Sequence, residues 1–335
     1  AHKVDELEFK ARIALFAEGL HAHLPNAYPE AVGVLRQILG DPIDDEEGMF
    51  NDGYHLWPVA YFVEAYGTAH FEESMAAMLE ITQRHTAEFA IRPFLIQYPD
   101  QTLAVLNEWA EHESHHVRRL VSEGTRPRLP WASRLHQFEA DPTPTLALLE
   151  KLKDDPSAFV RKSVANHLND IGKSHPERLL ATARRWQEEG ASERTAWIIR
   201  HALRNFVKQG HPEALALLGY GKPNVTLVDF TISPDDIQLG EAVQLSFGLQ
   251  SDADQPQLLV VDYIVHHVKA NGETAPKVFK LKNVELAAGQ TMRFKKKHSV
   301  KPITTRRYYA GVHRVEVQVN GEVVGERPFT LSLSD

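Results

Sequence analysis

Residues 157–180, SAFVRKSVANHLNDIGKSHPERLL, recur along the chain and decide how its first two thirds fold. A related segment, TAWIIRHALRNFVKQGHPEALALL, begins at Thr195, keeps the apolar positions and the His-Pro-Glu, and is two residues shorter. A third segment, SHHVRRLVSEG, begins at Ser114 and matches the Ser157 segment 43 positions later. Chance similarity between amphipathic helices is the alternative, but the shared His-Pro-Glu favours a repeated unit of about forty residues in the first two thirds of the chain.

A period of about forty residues, with Val-Arg early in a helix, is typical of paired-helix repeats of the HEAT kind. Apolar residues elsewhere before Tyr220 recur at spacings of three and four, which indicates amphipathic helices. Asp155-Pro156 has the form of a helix cap followed by a proline in the first turn. Because such repeats stack on their neighbours, we predict a right-handed α-solenoid with a concave face.

The pattern changes after Lys222. Segments such as NVTLVDFTI, AVQLSFGLQ and LLVVDYIVHHV alternate and are rich in β-branched and aromatic residues. Asn320-Gly321 predicts a two-residue hairpin. Six or seven short strands predict an antiparallel sandwich of immunoglobulin type, so the predicted domains are residues 1–221 (helical repeats) and 222–335 (β-sandwich).

Composition narrows the classes of function. The chain has no cysteine, which excludes disulfides and thiolate metal sites and fits a reducing cytoplasm. No apolar run has the length of a membrane helix, and no leader peptide is recognised. The formal net charge is −8, and residues 1–80 hold 4 Lys and Arg against 15 Asp and Glu. A site for an anionic partner is therefore expected to be local.

One local stretch concentrates basic and aromatic groups. After VRRLVSEG, the Ser114 repeat inserts TRPRLPW, in which Arg126 and Arg128 flank a proline and Trp131 ends the run. Prolines stiffen such a loop, and guanidinium groups donate paired hydrogen bonds to phosphate. The loop predicts either contacts with a nucleic-acid backbone or an inter-repeat connection whose arginines pair with the acidic first quarter.

The string VRRLVSEGTRPRLPWA resembles the alkylation-repair DNA glycosylases built from HEAT-like repeats, and among them the AlkC branch. The resemblance covers residues 1–220 and is sharpest over residues 88–131 and 157–170. It implies hydrolysis of the N-glycosidic bond of N3-methylated bases, such as 3-methyladenine and 3-methylcytosine, in double-stranded DNA. It also implies a cytoplasmic bacterial monomer that acts at the nucleoid, without metal, cofactor, membrane or obligate protein partner. The related AlkD-like members are described as working without flipping the base.

The resemblance implies four catalytic residues: Glu88, Glu123, Trp131 and Asp170. A base methylated at N3 is cationic and leaves readily, so the chemistry needs carboxylates that stabilise an oxocarbenium-like sugar and orient water. An indole face supports the same cation. At the Glu88 position the AlkD-like branch has aspartate with a tryptophan four residues earlier, whereas this chain has Arg84 there.

Structural roles are the alternatives for these residues. A glutamate on an amphipathic helix usually belongs to a solvated face. Asp170 can instead pair with Lys173 near the end of its helix, and Trp131 can instead anchor a core between repeats. From the residues alone, both interpretations stay open.

Basic residues in both halves are candidates for binding DNA phosphates. Arginines of repeat helices also bond to neighbouring repeats, and lysines on strands also protect a sheet edge. The DNA-binding candidates are Arg118, Arg119, Arg126, Arg128, Arg161, Lys162, Lys295, Lys296, Lys297, Arg306 and Arg307.

Two other classes of function fit parts of the sequence. His112-Glu-Ser-His-His116 has the form of a zinc-protease motif, which requires both histidines on one helix. The repeat alignment places a turn between them, so no metal site is predicted. A non-catalytic repeat scaffold that binds DNA or protein is the remaining alternative, although a scaffold does not need a stiff arginine loop beside isolated acids.

Overall fold

The computed structural model describes residues 4–45, 53–304 and 306–333, and its α-helices lie between Phe9 and Leu217. The α-helices are α1 (Phe9–His23), α2 (Tyr28–Gln37), α3 (Trp57–Tyr66), α4 (Phe71–Ile81), α5 (Arg92–Gln97), α6 (Pro99–Trp109), α7 (His115–Gly124), α8 (His136–Ala140), α9 (Thr143–Leu152), α10 (Ala158–Ser174), α11 (Pro176–Glu188), α12 (Glu193–Ala202), α13 (Arg204–Lys208) and α14 (Pro212–Leu217). A short 3-10 turn, Tyr54–Leu56, leads into α3.

The repeated segments each place a serine at the start of a helix. Ser114 is the N-cap of α7, and Ser157 is the N-cap of α10, where its hydroxyl accepts two backbone hydrogen bonds. The third copy begins earlier than the matched motif, because Ser192 Oγ accepts the backbone N–H of Thr195 at 3.2 Å and α12 begins at Glu193. The repeats therefore align from Ser114, Ser157 and Ser192, which corrects the register predicted for the third copy.

Helix α10 packs against both α7 and α12. The hydroxyls of Ser163 and Ser122 lie 3.0 Å apart between α10 and α7. Asn169 Nδ2 donates to the carbonyl oxygen of Ala202 at 2.8 Å between α10 and α12. Branched apolar side chains that these helices bury include Val117, Val121, Val160, Val164 and Ile198.

The strands pair into two sheets, with orders β1-β3-β6 and β2-β8-β7-β4-β5. They are β1 (Val225–Ser233), β2 (Asp236–Gln238), β3 (Ala242–Ser251), β4 (Gln257–Val268), β5 (Thr274–Leu286), β6 (Thr291–Ser299), β7 (Gly311–Val319) and β8 (Glu322–Ser332). Inward-facing residues of both sheets form one apolar core. The predicted α-then-β order and the sandwich are confirmed, except that β2 pairs with β8 in parallel.

The predicted hairpin joins β7 to β8. Asn320 and Gly321 have φ angles of 44° and 85°, the left-handed conformations that a two-residue turn of this kind requires. The backbones of Gly321 and Gly210 touch, since a Cβ on Gly210 would lie 2.6 Å from the Cα of Gly321. Glycine is therefore required twice at this approach.

The chain divides into two compact units, Ala1–Ala202 and Leu203–Asp335. Helices α13 and α14 therefore belong to the same unit as the strands. The change from helix to strand lies between Leu217 and Val225, around the predicted boundary after Gly221, whereas the packing boundary lies earlier. In the part of the chain that the structure describes, no helix has both the length and the apolar character needed to cross a membrane.

Candidate active site

Three carboxylates from three different elements alternate with two guanidinium groups. Glu88 lies in the turn before α5, Glu123 near the end of α7, and Asp170 in the second half of α10. Arg119 lies 2.8 Å from Glu88 Oε2 and 3.8 Å from Glu123 Oε1. Arg126 lies 2.7 Å from Glu123 Oε1 and 2.8 Å from Asp170 Oδ2. These five residues form one line of ion pairs, which we call the acid–arginine chain.

The acid–arginine chain is almost wholly removed from water, because its five members are 2% to 8% exposed. Burial opposes the ionisation of Glu123, but the charges of Arg119 and Arg126, together with a hydrogen bond from Ser163, lower its pKa below the usual value. Burial likewise opposes the charge on Arg126, yet Glu123 and Asp170 raise its pKa. Glu123 and Arg126 are therefore both charged at neutral pH.

Hydroxyl groups complete the surroundings of two of the acids. Thr86 Oγ1 donates to Glu88 Oε2 at 2.9 Å, and Ser163 Oγ donates to Glu123 Oε2 at 2.6 Å. Hydrogen bonds of this kind fix the direction of each carboxylate. Two of the three acids are therefore held by a neutral donor in addition to an arginine.

Asp170 has a cation on each oxygen. Its Oδ2 faces Arg126, and its Oδ1 lies 2.8 Å from Lys173 Nζ. The pairing with Lys173, one of the two interpretations of Asp170, is thus present together with the link to the other acids. Since Asp170 is 2% exposed, this paired carboxylate lies inside the site and not on a solvated helix face.

A neutral histidine lies behind the acids. His167 is completely buried, and burial lowers its pKa to about 4. Its Nδ1 lies 2.9 Å from the carbonyl oxygen of Ser122, so the neutral ring donates from Nδ1. His167 therefore ties α10 to α7 next to Glu123.

Arg92 holds the loop that follows α7. Its Nη1 donates to the carbonyl oxygens of Gly124 and Arg126, each at 2.9 Å, and its Nη2 donates to the carbonyl oxygen of Ser133. Arg92 is 2% exposed, and burial lowers its pKa to about 10. One buried guanidinium thus ties together both ends of the loop that carries Arg126 and Trp131.

Trp131 projects from this loop into solvent, with 74% of its surface exposed. A core-anchor role therefore does not fit its position. Its φ angle is 65°, a strained conformation for a non-glycine residue, and Lys10 of α1 donates to its carbonyl oxygen. Trp131, Phe89 and Glu64 line an open cleft of about 430 Å³. The indole therefore lies at this cleft, which Arg92 also lines, with most of its surface accessible to solvent.

Two of the arginines predicted to bind DNA make the same structural contact in successive repeats. Arg118 donates from Nη1 to the carbonyls of the residues five and six positions earlier, at 2.7 and 2.8 Å. Arg161 does the same at 2.8 and 2.7 Å. Arg118 also pairs with Asp155 of the next repeat at 2.6 Å. The repeated Val-Arg therefore stabilises the turn before each helix.

The remaining basic candidates of the helical unit differ in whether an acid already pairs with them. Arg128 Nε lies 2.7 Å from Glu139, close enough for an ion pair though not aligned as a hydrogen bond, and its Nη2 donates to Ser174. Lys162 on α10 is exposed and makes no ion pair among the residues that the structure describes. Lys162 is thus the candidate of this unit most available to a phosphate.

The basic candidates of the β-unit lie on or beside a sheet edge. Lys295, Lys296 and Lys297 are consecutive exposed residues of β6, which is an edge strand of its sheet. Arg307 is exposed and Arg306 is half-buried. Contact with DNA and protection of the edge are both compatible with these positions.

The zinc-protease motif does not lie on one helix. His112 precedes the N-cap Ser114, whereas His116 lies in the first turn of α7. His116 Nε2 lies 2.7 Å from the carbonyl oxygen of Ile43. Within residues 4–45, 53–304 and 306–333, no cluster of His, Asp or Glu has an arrangement that could hold a metal ion.

Sequence reasoning missed the residues that hold the acids in place: Thr86, Arg92, Ser163 and His167. A lone arginine within the apolar run FAIRPFL is a usable signal for Arg92, since an arginine at such a position must be buried against carbonyl oxygens. No comparable signal marks Thr86 or Ser163, because small hydroxyl residues are common on helix surfaces.

Comparison with known proteins assigns both parts of the chain. A family model for a DNA alkylation repair enzyme matches residues 68–206, and a model for the C-terminal Ig-like domain of the uncharacterised protein YhaZ matches residues 226–333. The uncharacterized protein YhaZ of Bacillus subtilis (strain 168) is 42% identical over 95% of this chain and 86% of its own length. The structure of Pseudomonas fluorescens alkylpurine DNA glycosylase AlkC, bound to DNA containing an abasic site analog, is 43% identical. It superposes with a TM-score of 0.91 over 98% of this chain and 89% of its own. The chain belongs to the AlkC branch of the DNA alkylation repair enzymes.

Proposed function

We propose that this protein is a monofunctional DNA glycosylase that hydrolyses the N-glycosidic bond of cationic, N3-methylated bases in duplex DNA. The bases implied are 3-methyladenine and 3-methylcytosine, and their release begins base-excision repair. The observation that carries the proposal is the convergence of Glu88, Glu123 and Asp170 on one buried chain, whose Arg126 lies on the same loop as the exposed Trp131. The similarity to an alkylpurine DNA glycosylase and the match to a DNA alkylation repair enzyme model support glycosylase activity.

The chemistry follows from the charge of the substrate. A base methylated at N3 carries a positive charge, so departure of the neutral base needs no proton from the enzyme. Positive charge develops on the deoxyribose instead, and fixed carboxylates stabilise it. Glu123 is suited to this role because the neighbouring arginines lower its pKa and keep it anionic. One of them also orients the attacking water and accepts its proton.

Trp131 stabilises the same positive charge on the sugar. An indole face stabilises a cation through its quadrupole, and an exposed ring on a clamped loop is placed for contact with the sugar or the base. Because Arg92 donates to carbonyl oxygens at both ends of the loop, the loop that carries the indole is held in place without DNA. This arrangement is compatible with attack on a sugar whose base stays in the helix, so we infer that no classical flipping pocket is needed.

The basic candidates separate into two groups. Arg119 and Arg126 are buried between acids and serve as their counter-ions, while Arg118 and Arg161 stabilise turns. Phosphate contacts are assigned to the residues that remain accessible. These are Arg128, Lys162, Lys295, Lys296, Lys297, Arg306 and Arg307.

The test is base release from methylated duplex DNA under single-turnover conditions. Asp170→Asn and Glu123→Gln are expected to lower the rate by about a hundredfold or more at unchanged affinity for abasic DNA. Glu111→Gln is the matched control, since Glu111 is an exposed acid that pairs with Lys151 on the surface. No release by the native chain, with DNA binding intact, would leave a non-catalytic DNA-binding scaffold.

A further inference from the structure

Positions in the repeats connect the candidate active site to a second surface. Counted from the capping serines, Arg119 of α7, Lys162 of α10 and Trp197 of α12 occupy the same position, five residues after the cap. Four residues later come Glu123 of α7 and His201 of α12. Residues at such spacings share one face of a helix, so this face continues from the acids across α10 to α12.

Hydrogen bonds near both ends of α12 place it alongside α10. Thr195 Oγ1, near the start of α12, donates at 2.9 Å to the carbonyl oxygen of Lys153, which lies between α9 and α10. Asn169 Nδ2 donates to the carbonyl oxygen of Ala202 at 2.8 Å, near the end of α12. The two helices therefore run in the same direction, and equivalent positions lie side by side.

The α12 end of this face combines a flat aromatic surface with positive charge. Trp197 is 36% exposed and stacks on His201 with the ring centroids 4.9 Å apart and the planes inclined by 7°. Lys162, Arg194 and Arg200 are exposed, and none of them forms an ion pair in the described part of the chain. These are the groups that pack on a sugar and bind phosphates.

We propose that Lys162, Arg194, Trp197 and Arg200 bind the sugar–phosphate backbone of duplex DNA on one side of the lesion. The cations contact phosphates, and the Trp197 ring packs on the apolar face of a deoxyribose. The proposal rests on the proposed function, because it extends the same DNA path. Continuity with the acid–arginine chain and the unpaired cations favour DNA over a protein partner.

The packing distance sets where this contact falls. Neighbouring helix axes lie about 8–10 Å apart, so α12 is about 20 Å from α7. Nucleotides advance about 3.4 Å each along the duplex, which places the contact about six nucleotides from the lesion. A duplex arm that ends before this point cannot reach Trp197.

The experiment measures the affinity of the full chain for duplexes with a tetrahydrofuran abasic analogue. One duplex has about twelve base pairs on each side, and two others are cut to about four base pairs on one side or the other. Trp197→Ala is expected to weaken the full duplex about tenfold, and Trp197→Phe less than about twofold. Lys162→Ala is expected to lower the slope of log affinity against log salt by about 0.9.

The truncated duplexes give the decisive comparison. On one of them, the native chain and Trp197→Ala are expected to bind equally, while on the other the tenfold difference persists. Phe16→Ala, which removes another exposed ring from the same unit, is the control and should change no affinity. Equal binding of Trp197→Ala and the native chain to the full duplex would overturn the proposal. An equal loss on both truncated duplexes would overturn it as well.

Base release and DNA binding distinguish failure of the proposed function from failure of this proposal. Abasic-DNA binding by the native chain without release of methylated bases would refute the proposed function and leave this test decisive. Absence of binding by the native chain would refute both.

Discussion

Replacing Arg126 with glutamine leaves two buried carboxylates without their shared cation. Arg126 bonds to Glu123 at 2.7 Å and to Asp170 at 2.8 Å, and both acids are nearly inaccessible to water. Removing one partner of a buried ion pair costs about 3–5 kcal/mol, chiefly because an uncompensated charge remains. We therefore expect Arg126→Gln to lower the free energy of unfolding by about 3 kcal/mol at pH 7, the low end of this range, because Arg119 and Lys173 remain near Glu123 and Asp170.

The loss depends on pH with a defined sign. The pKa of Glu123 is lowered in the folded protein, so its ionisation contributes stability above the unfolded value of about 4.3. That contribution is lost progressively as the pH falls from this value towards the lower pKa of the folded carboxylate, because the unfolded chain is protonated first. The difference between the native chain and Arg126→Gln should therefore shrink as the pH is lowered through about 4.

Urea unfolding followed by far-ultraviolet circular dichroism at 222 nm, at neutral and acid pH, measures this difference for the helices. Arg126→Gln combined with Glu123→Gln should regain part of the loss, since one uncompensated charge is removed. Arg185→Gln is the control: its surface pairs with Glu150 and Glu189 are half-exposed and worth about 1 kcal/mol or less. An Arg126→Gln protein as stable as the control, or equally destabilised at both pH values, would refute the reasoning.

Three further predictions concern the groups around the acids. Arg92→Met should lower the single-turnover rate of base release more than the affinity for abasic DNA, with partial recovery in Arg92→Lys, because the loop loses its clamp; equal effects on rate and affinity would contradict this. His167→Gln should make the free energy of unfolding depend less on pH between about 6.5 and 4. In the native chain the folded state keeps His167 neutral while the unfolded state gains a proton, so stability is lost as the pH falls through this range. Urea unfolding at a series of acid pH values measures this dependence. Gly124→Ala should destabilise the helical unit by about 1–3 kcal/mol, because the new Cβ would lie 2.6 Å from Ile91 Cγ2. An unchanged unfolding midpoint would show that Ile91 moves aside without cost.

The architecture could be predicted because it depends on short-range patterns. Capping serines, Val-Arg pairs and the Asn320-Gly321 turn each act within a few residues, and repetition makes them visible in one sequence. The predicted start of the third repeat was wrong. Its apolar positions match when it is aligned from Thr195, but its capping serine, Ser192, lies three residues earlier. Apolar periodicity alone does not fix where a helix begins.

The site could be predicted only in part, because partners far apart in sequence decide what each charge does. Arg119 and Arg126 resemble phosphate ligands in a basic stretch, yet each meets an acid that the fold brings from another helix or turn. Arg118 and Arg161 share a motif because they share a structural contact. A basic cluster in a sequence therefore indicates where charge is concentrated, and the fold decides whether that charge faces DNA or an acid.

The pairing of every candidate acid also bears on which lesions the proposed enzyme can attack. Glu123 is held ionised by two arginines, and Asp170 has a cation on each oxygen, so neither is arranged to give a proton to a leaving base. A neutral damaged base needs that proton, whereas an N3-methylated base already carries the charge. Selectivity for cationic lesions then follows from the site's electrostatics and requires no pocket that recognises the base. The arginines that stabilise the ionised acids in the protein interior thereby restrict the reaction to lesions whose base leaves without being protonated.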